Sequence, residues 1–207
     1  MKRYLLAIML GLGILFGSSA GATAASELPY RAKPAVGKEY VVNATTFGGT
    51  SYDDNGIGYF GGIDLFRLKW GVAELGMHSA MGGLPGGTRI LVRYGKRAVI
   101  TVLADIGGAC CYYHIDLHIG VAQYLHVPNP AGWVGRVRIT VLPGRPATMT
   151  PATVNRGIKG IGPVGSGYQP GKPLPQVRSF YEGARFNISH AGSGYTSSST
   201  YSAQRHK

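Results

Sequence analysis

The sequence predicts a mainly β fold, a six-stranded barrel with one short helix and a flexible C-terminal extension. Three observations carry that prediction. Gly accounts for 33 of 207 residues, Pro for 12 and Tyr for 13, while only 14% of the chain is charged; this suits strands and turns and disfavours long helices or a coiled coil. Between Glu39 and Leu142, β-prone runs alternate with turn-forming residues. After Pro143, Pro, Gly, Ser, Thr and Tyr replace the aliphatic residues, a composition that cannot bury a core of its own.

Taken in order, residues 1–25 read as a secretory signal peptide. Lys2 and Arg3 precede the apolar run Tyr4 to Phe16, and Ala22-Thr23-Ala24 fits a small-x-small cleavage site. The apolar run is shorter than the roughly 20 residues that a bilayer core requires, so no stable membrane span is expected after cleavage. Residues 26–38 form a short basic leader with little expected structure. The barrel domain is assigned to 39–143. Tyr40 to Phe47 is a β-prone run, followed by turn chemistry from Gly48 to Gly56. Gly71 to Leu75 is a short apolar strand. Thr88 to Tyr94 and Arg97 to Ala104 pair as a hairpin across Gly95-Lys96. Ile115-Asp116-Leu117 is a short extended piece, and Leu117, Val121, Ala122 and Leu125 recur at helical spacing over His118 to Leu125. Gly135 to Leu142 alternates basic with apolar residues as a half-buried closing strand. Six such strands fit a barrel. Residues 144–207 make up the basic extension.

The formal net charge is +12, and still about +10 without Lys2 and Arg3. A secreted cation of this size is either simply soluble or held by an anionic partner. Secretion removes it from the cell's nucleic acid, leaving anionic or structural wall polysaccharide and membrane headgroups as targets. The nine acidic residues are too few for a carboxylate-rich metal site, and no cofactor is expected. The chain is expected to act as a monomer.

Two acidic residues stand out. Asp105 follows the apolar run Val99 to Ala104 and precedes Gly107 and Gly108. Its carboxylate therefore emerges at a strand end, where glycine backbone leaves room for a ligand and where a general acid would sit; the alternative is an Asp that accepts backbone N–H bonds. Asp116 lies between Ile115 and Leu117, an unusual place for a charge unless it is paired or caps main-chain groups. Glu74 is a candidate second carboxylate. Tyr112 and Tyr113 lie between the two aspartates and are the foremost candidates for stacking on sugar, among a wider aromatic set of Tyr52, Tyr59, Phe60, Trp70 and Trp133. Trp70 and Trp133 read better as core. Cys110 and Cys111 are adjacent and cannot close a long loop between themselves; a vicinal disulfide, pairing with another chain and free thiols all stay open. His114, Asp116 and His118 alternate and form a possible metal set, although a helix starting near His118 would break the alternation.

The order of elements from 40 to 142 resembles the double-psi β-barrel of rare lipoprotein A, expansins and barwin-like proteins. Thr45-Thr46-Phe47-Gly48-Gly49 is similar to the family's opening Thr-aromatic-x-Gly. Val72-Ala73-Glu74-Leu75 and Leu84 to Val92 follow, and then Val99 to Gly108, Ile115-Asp116-Leu117 and the helix keep the family's order. The resemblance covers about half the chain. It implies an open polysaccharide groove across the barrel that serves lytic transglycosylase action on peptidoglycan, non-hydrolytic wall loosening, or binding alone as in protease-inhibitor relatives. It places Asp105 and Asp116 at catalytic positions and Thr45 or Thr46 as the groove hydroxyl. The lytic branch also carries an Asn-Gly-Glu-type stretch with a nearby His; here Asp53-Asp54-Asn55-Gly56-Ile57-Gly58 holds no Glu, and His78 falls in what reads as an insertion.

Overall fold

The computed structural model describes residues 25–48, 56–108 and 112–165. In chain order the elements are β1 (Ser26–Glu27), β2 (Glu39–Phe47), β3 (Ile57–Gly58), β4 (Ile63–Asp64), β5 (Gly71–Glu74), the single turn α1 (Leu75–His78), β6 (Arg89–Tyr94), β7 (Arg97–Ile106), β8 (Ile115–His118), α2 (Ile119–Leu125), β9 (Gly135–Val141), α3 (Pro151–Asn155) and β10 (Gly162–Val164). Gly76, Met77 and His78 all have positive φ, so α1 is a left-handed turn rather than a helix.

Six strands close a barrel in the order β2-β8-β5-β7-β6-β9, with β9 returning to β2. Two neighbouring pairs, β2 with β8 and β5 with β7, are parallel, and the other four are antiparallel. Exchanging β2 with β7, β5 with β8 and β6 with β9 reproduces every pairing and its direction. The topology is thus two interlocked halves related by a pseudo-two-fold axis between β5 and β8, as a double-psi barrel requires. The expected hairpin forms, Tyr94 pairing with Arg97 and Gly95 adopting a φ of 56°. The predicted helix is α2.

Alternation fills the interior. Tyr40, Val42 and Ala44 of β2, Val99, Thr101 and Leu103 of β7, and Val137, Ile139 and Val141 of β9 are buried, each set spaced by two as a strand facing a core demands. The two hydroxyls among them are satisfied: that of Thr101 donates to the Ile90 carbonyl at 2.8 Å, and that of Tyr40 accepts from Ala35 N–H at 3.2 Å. In β7 the outward-facing residues Ala98, Ile100 and Val102 are buried too, so this strand is covered on both faces, which is why it reads as an unbroken apolar run.

The leader and the start of the extension are more than loose flanks. The long strands β2 and β7 have nine and ten residues, whereas their neighbours β8 and β5 have four each. Each long strand therefore keeps a length of unpaired edge. At β2 the gap is filled by β1, with Ser26 opposite Tyr40 and Glu27 opposite Val41; Leu28 follows it into the core. At β7 it is filled by β10, with Gly162 opposite Ile100 and Val164 opposite Ala98. On the way to β10, α3 is closed by a Thr150–Thr153 capping box with Pro151 at its first turn. Val154, Ile158 and Ile161 are buried beside it. The composition after Pro143 is poor in aliphatics, and the few present up to Val164 are the ones spent on the barrel. Residues 166–207, most of the expected extension, lie outside the described residues, as does the expected signal peptide.

A chain cut after Leu142 should lose several degrees of melting temperature relative to one cut after Gly165 and self-associate through the bare β7 edge. Calorimetry with light scattering checks both.

Candidate functional site

Strand register assembles the site. Thr45 of β2 lies opposite Asp116 of β8, Asp116 opposite Ala73 of β5, and Ala73 opposite Asp105 of β7. Residues in direct register share a face of the sheet, so Thr45, Asp116, Ala73 and Asp105 form one row across four strands. The face is the outer one, because Ile115 and Leu117, on either side of Asp116, are buried in the core while Asp116 is half-exposed. The two aspartates are two strand spacings apart, about 10 Å between Cα atoms, and Ala73 between them is buried.

Asp105 reaches this face only because β7 carries a bulge. Val72 pairs with Leu103 but Ala73 pairs with Asp105, so Ala104 is an extra residue. Val99, Thr101 and Leu103 point inward, and strict alternation would send Asp105 after them; one inserted residue turns it outward. The bulge is stitched down by the β3–β4 hairpin. Phe60 N–H donates to the Ala104 carbonyl at 3.3 Å, and Tyr59 N–H donates to Asp105 Oδ1 at 2.7 Å. Gly58 permits this approach, since a Cβ there would lie 2.8 Å from the Ala104 oxygen.

The partners of Asp116 differ. It accepts from the Thr45 hydroxyl at 2.8 Å, so of the two threonines Thr45 is the one in the row. Thr46 points to the other side of β2, where its Oγ1 accepts from Trp133 N–H at 3.0 Å; it anchors the β9 approach and stands apart from the row. Trp70 and Trp133 are buried, as expected of core residues. Tyr112 is 72% exposed with a φ of 58°. Its ring meets Tyr30 edge-on at 5.3 Å, and its carbonyl accepts from Asn43 Nδ2 at 3.5 Å. Tyr113 beside it is half-buried. The leader is tied down on both sides of Tyr30: Leu28 N–H bonds the Val41 carbonyl, Arg31 N–H bonds the Ala80 carbonyl, and Tyr30 between them covers His114 at 5.7 Å. Cys110, Cys111, Tyr52, Asp53 and Asp54 lie outside the described residues.

Glu74 is a structural anchor rather than a second carboxylate in the row. It is fully buried and accepts backbone N–H bonds from Met81 at 2.7 Å, Gly83 at 3.0 Å and Leu84 at 2.9 Å. His78 Nε2 lies 3.5 Å from its Oε2 and 2.7 Å from the Leu84 carbonyl. Main-chain bonds then tie this turn to the segment after Asp105: Gly107 N–H to Glu74 O, Met77 N–H to Gly107 O and Gly76 N–H to Gly108 O.

In the alternating set His114, Asp116 and His118, Asp116 accepts from Thr45 and each histidine accepts from a main-chain N–H. His114 Nδ1 accepts from Asn43 N–H at 3.3 Å, and His118 Nδ1 accepts from Gly120 N–H at 3.1 Å and caps α2. Among the described residues no group of three or more His, Cys, Asp or Glu is placed to hold a metal ion, and no helix is long and apolar enough to cross a membrane. The buried His114 Nε2 closes no hydrogen bond. Burial holds its pKa below the usual 6.5, partly offset by the Leu28 and Pro29 main chain.

Comparison with protein-family models finds no match to this chain, and comparison with curated proteins finds none. The class defined by the coordinates is a closed six-stranded mixed β-barrel.

Two measurements test the scaffold of the site. Glu74→Gln places an amide NH2 against a main-chain donor and should cost about 1–3 kcal/mol by denaturant titration. For His114, the folded state resists protonation, so stability should be full above about pH 6.5 and decline as the pH falls from there through the lowered folded-state value. Unfolding curves from pH 7.5 to 4.5 should show this decline in the parent and a shallower one in His114→Gln.

Proposed function

We propose that this chain is a secreted protein that binds cell-wall glycan along the Thr45–Asp116–Ala73–Asp105 row and remodels it, with Asp105 as general acid. The observation that carries the reading is the row itself: two carboxylates and a hydroxyl in register on the outer face of the sheet, all three partly exposed around the buried Ala73. The sequence resemblance to glycan-acting double-psi barrels, the signal-like first 25 residues and the excess of positive charge support it. The basic surface would hold the protein on an anionic wall.

The chemistry that fits a single acid needs no metal and no water. Asp105 donates its proton to the glycosidic oxygen, and the bond from that oxygen to the anomeric carbon breaks. A hydroxyl of the same sugar attacks the anomeric carbon and returns its proton to the Asp105 carboxylate, leaving an anhydro sugar end. Asp116, held by Thr45, lies where it can orient the sugar and stabilise positive charge developing on the ring.

A second reading has its own observation. Asp105 accepts from Tyr59 N–H and Asp116 from Thr45, so both carboxylates have structural employment, as in a module of the same fold that only binds glycan or a protein partner.

Incubation of the mature protein with purified peptidoglycan, and in parallel with chitin and cellulose, separates these readings. The lytic reading expects soluble fragments with anhydro ends by mass spectrometry, reduced about 10²-fold to 10⁴-fold in Asp105→Asn, a variant that keeps an acceptor for Tyr59 N–H. Pelleting without release, unchanged in that variant, would leave binding alone; no pelleting on any glycan would reject the proposal.

A further inference from the structure

We propose that the β3–β4 hairpin supplies a sugar-stacking subsite on the Asp105 side of the row, with the Tyr59 ring as its platform. This rests on the glycan reading above and adds to it the ring of a residue that meets the row through its main chain. Ile57, Tyr59 and Phe66, three of the large apolar side chains left open to solvent, come from this one short segment, at 58%, 65% and 65% exposure. A segment with a spare apolar face normally turns it inward. Here the inward places are taken by Gly58, Ile63 and Leu65, and the outward ones are kept aromatic or aliphatic.

The hairpin is also fixed. Its backbone is bonded to the bulge carbonyl and to Asp105 itself. Tyr59 meets Phe60 edge-on at 5.3 Å, and Phe60 in turn meets His78 at 5.3 Å, so the side chain at the base of the platform is packed down onto the turn anchored by Glu74. A rigid, exposed tyrosine whose own main-chain N–H holds the acid sets a fixed geometry between ring and carboxylate. A pyranose with an apolar face that stacks on Tyr59 would then present its glycosidic linkage towards Asp105. On the β2 side the exposed Tyr112 stands beside Asn43, two residues before Thr45 on the same strand. The row from β2 to β7 spans three strand spacings, about 14 Å, room for a short run of sugar rings. The ligand is thus a chain lying across the strands, not a single sugar.

The main-chain origin of the Tyr59–Asp105 bond makes the proposal separable from the acid mechanism, because Tyr59→Ala removes the ring and keeps the N–H. Full-length mature protein is titrated against purified peptidoglycan, with binding read by pelleting and turnover by released fragments. Binding to a ladder of β-1,4-linked N-acetylglucosamine oligomers is measured alongside. Tyr59→Ala should weaken binding about twofold to twelvefold and raise the half-saturating glycan concentration by the same factor, while Tyr59→Phe stays with the parent. In the parent, affinity should climb from disaccharide to the longer oligomers; in Tyr59→Ala the gain should stop at a shorter oligomer. Equal binding by Tyr59→Ala and parent, or affinity independent of oligomer length, would overturn the subsite. A parent that binds none of these glycans would instead overturn the glycan reading on which it rests.

Discussion

The constraint on which the rest of the molecule depends is an inequality of strand lengths. A barrel closed by two long strands and two four-residue partners leaves main-chain N–H and C=O groups without a neighbour, and those groups must be satisfied or left as a sticky edge. The chain meets the need from outside the barrel proper, with β1 at one long strand and β10 at the other. The two strands are equivalent under the pseudo-two-fold axis, so the same deficiency arises twice and is met twice, once by a parallel strand and once by an antiparallel one. The leader that mends β2 goes on to place Tyr30 against Tyr112 and His114. The extension packs α3 against β4 on its way to mending β7. The segments that complete the barrel edges are thus the same ones that cover its flanks.

A second constraint sits under the first. Burying the Glu74 carboxylate would be costly alone, but three main-chain donors converge on it, and the turn they fix is tied by further main-chain bonds to Gly107 and Gly108. The residues just after Asp105 therefore inherit their position from a carboxylate on another strand. Surface acids are used differently: Glu39 holds Arg93 at 2.7 Å and Arg138 at 3.4 Å, Glu27 holds Arg136, and Asp64 holds Arg67 at 3.2 Å.

The barrel strands and α2 were legible because their signals are local: β-branched runs, the Gly95-Lys96 turn, the spacing of Val121, Ala122 and Leu125. Asp105 and Asp116 were legible as charges set among apolar residues. What escaped is what depends on partners far along the chain. No feature of residues 99–106 announces that Ala104 is an extra residue, since the bulge exists only relative to β5. The packing of Leu28, Val154, Ile158 and Ile161 is hidden by the Pro and Gly around them, because periodicity needs more apolar residues than these stretches contain. Thr46 and Thr45 are indistinguishable by type, and only the pleat assigns one to the row and the other to Trp133. The bond that holds Asp105 comes from a main-chain N–H of Tyr59, a donor that nearly every residue carries.

The position of the row on the axis has one more consequence. The exchange that relates the two halves carries Thr45 onto Asp105 and Asp116 onto Ala73, so the row passes through the axis, but the exchange does not carry the bulge: β7 holds Ala104 as an extra residue before Asp105, whereas β2 pairs with β8 in unbroken register. The row is therefore symmetric in its pairing and directional in its backbone. One inserted residue tells its two ends apart, together with carboxylate against hydroxyl at the ends and carboxylate against methyl in the middle.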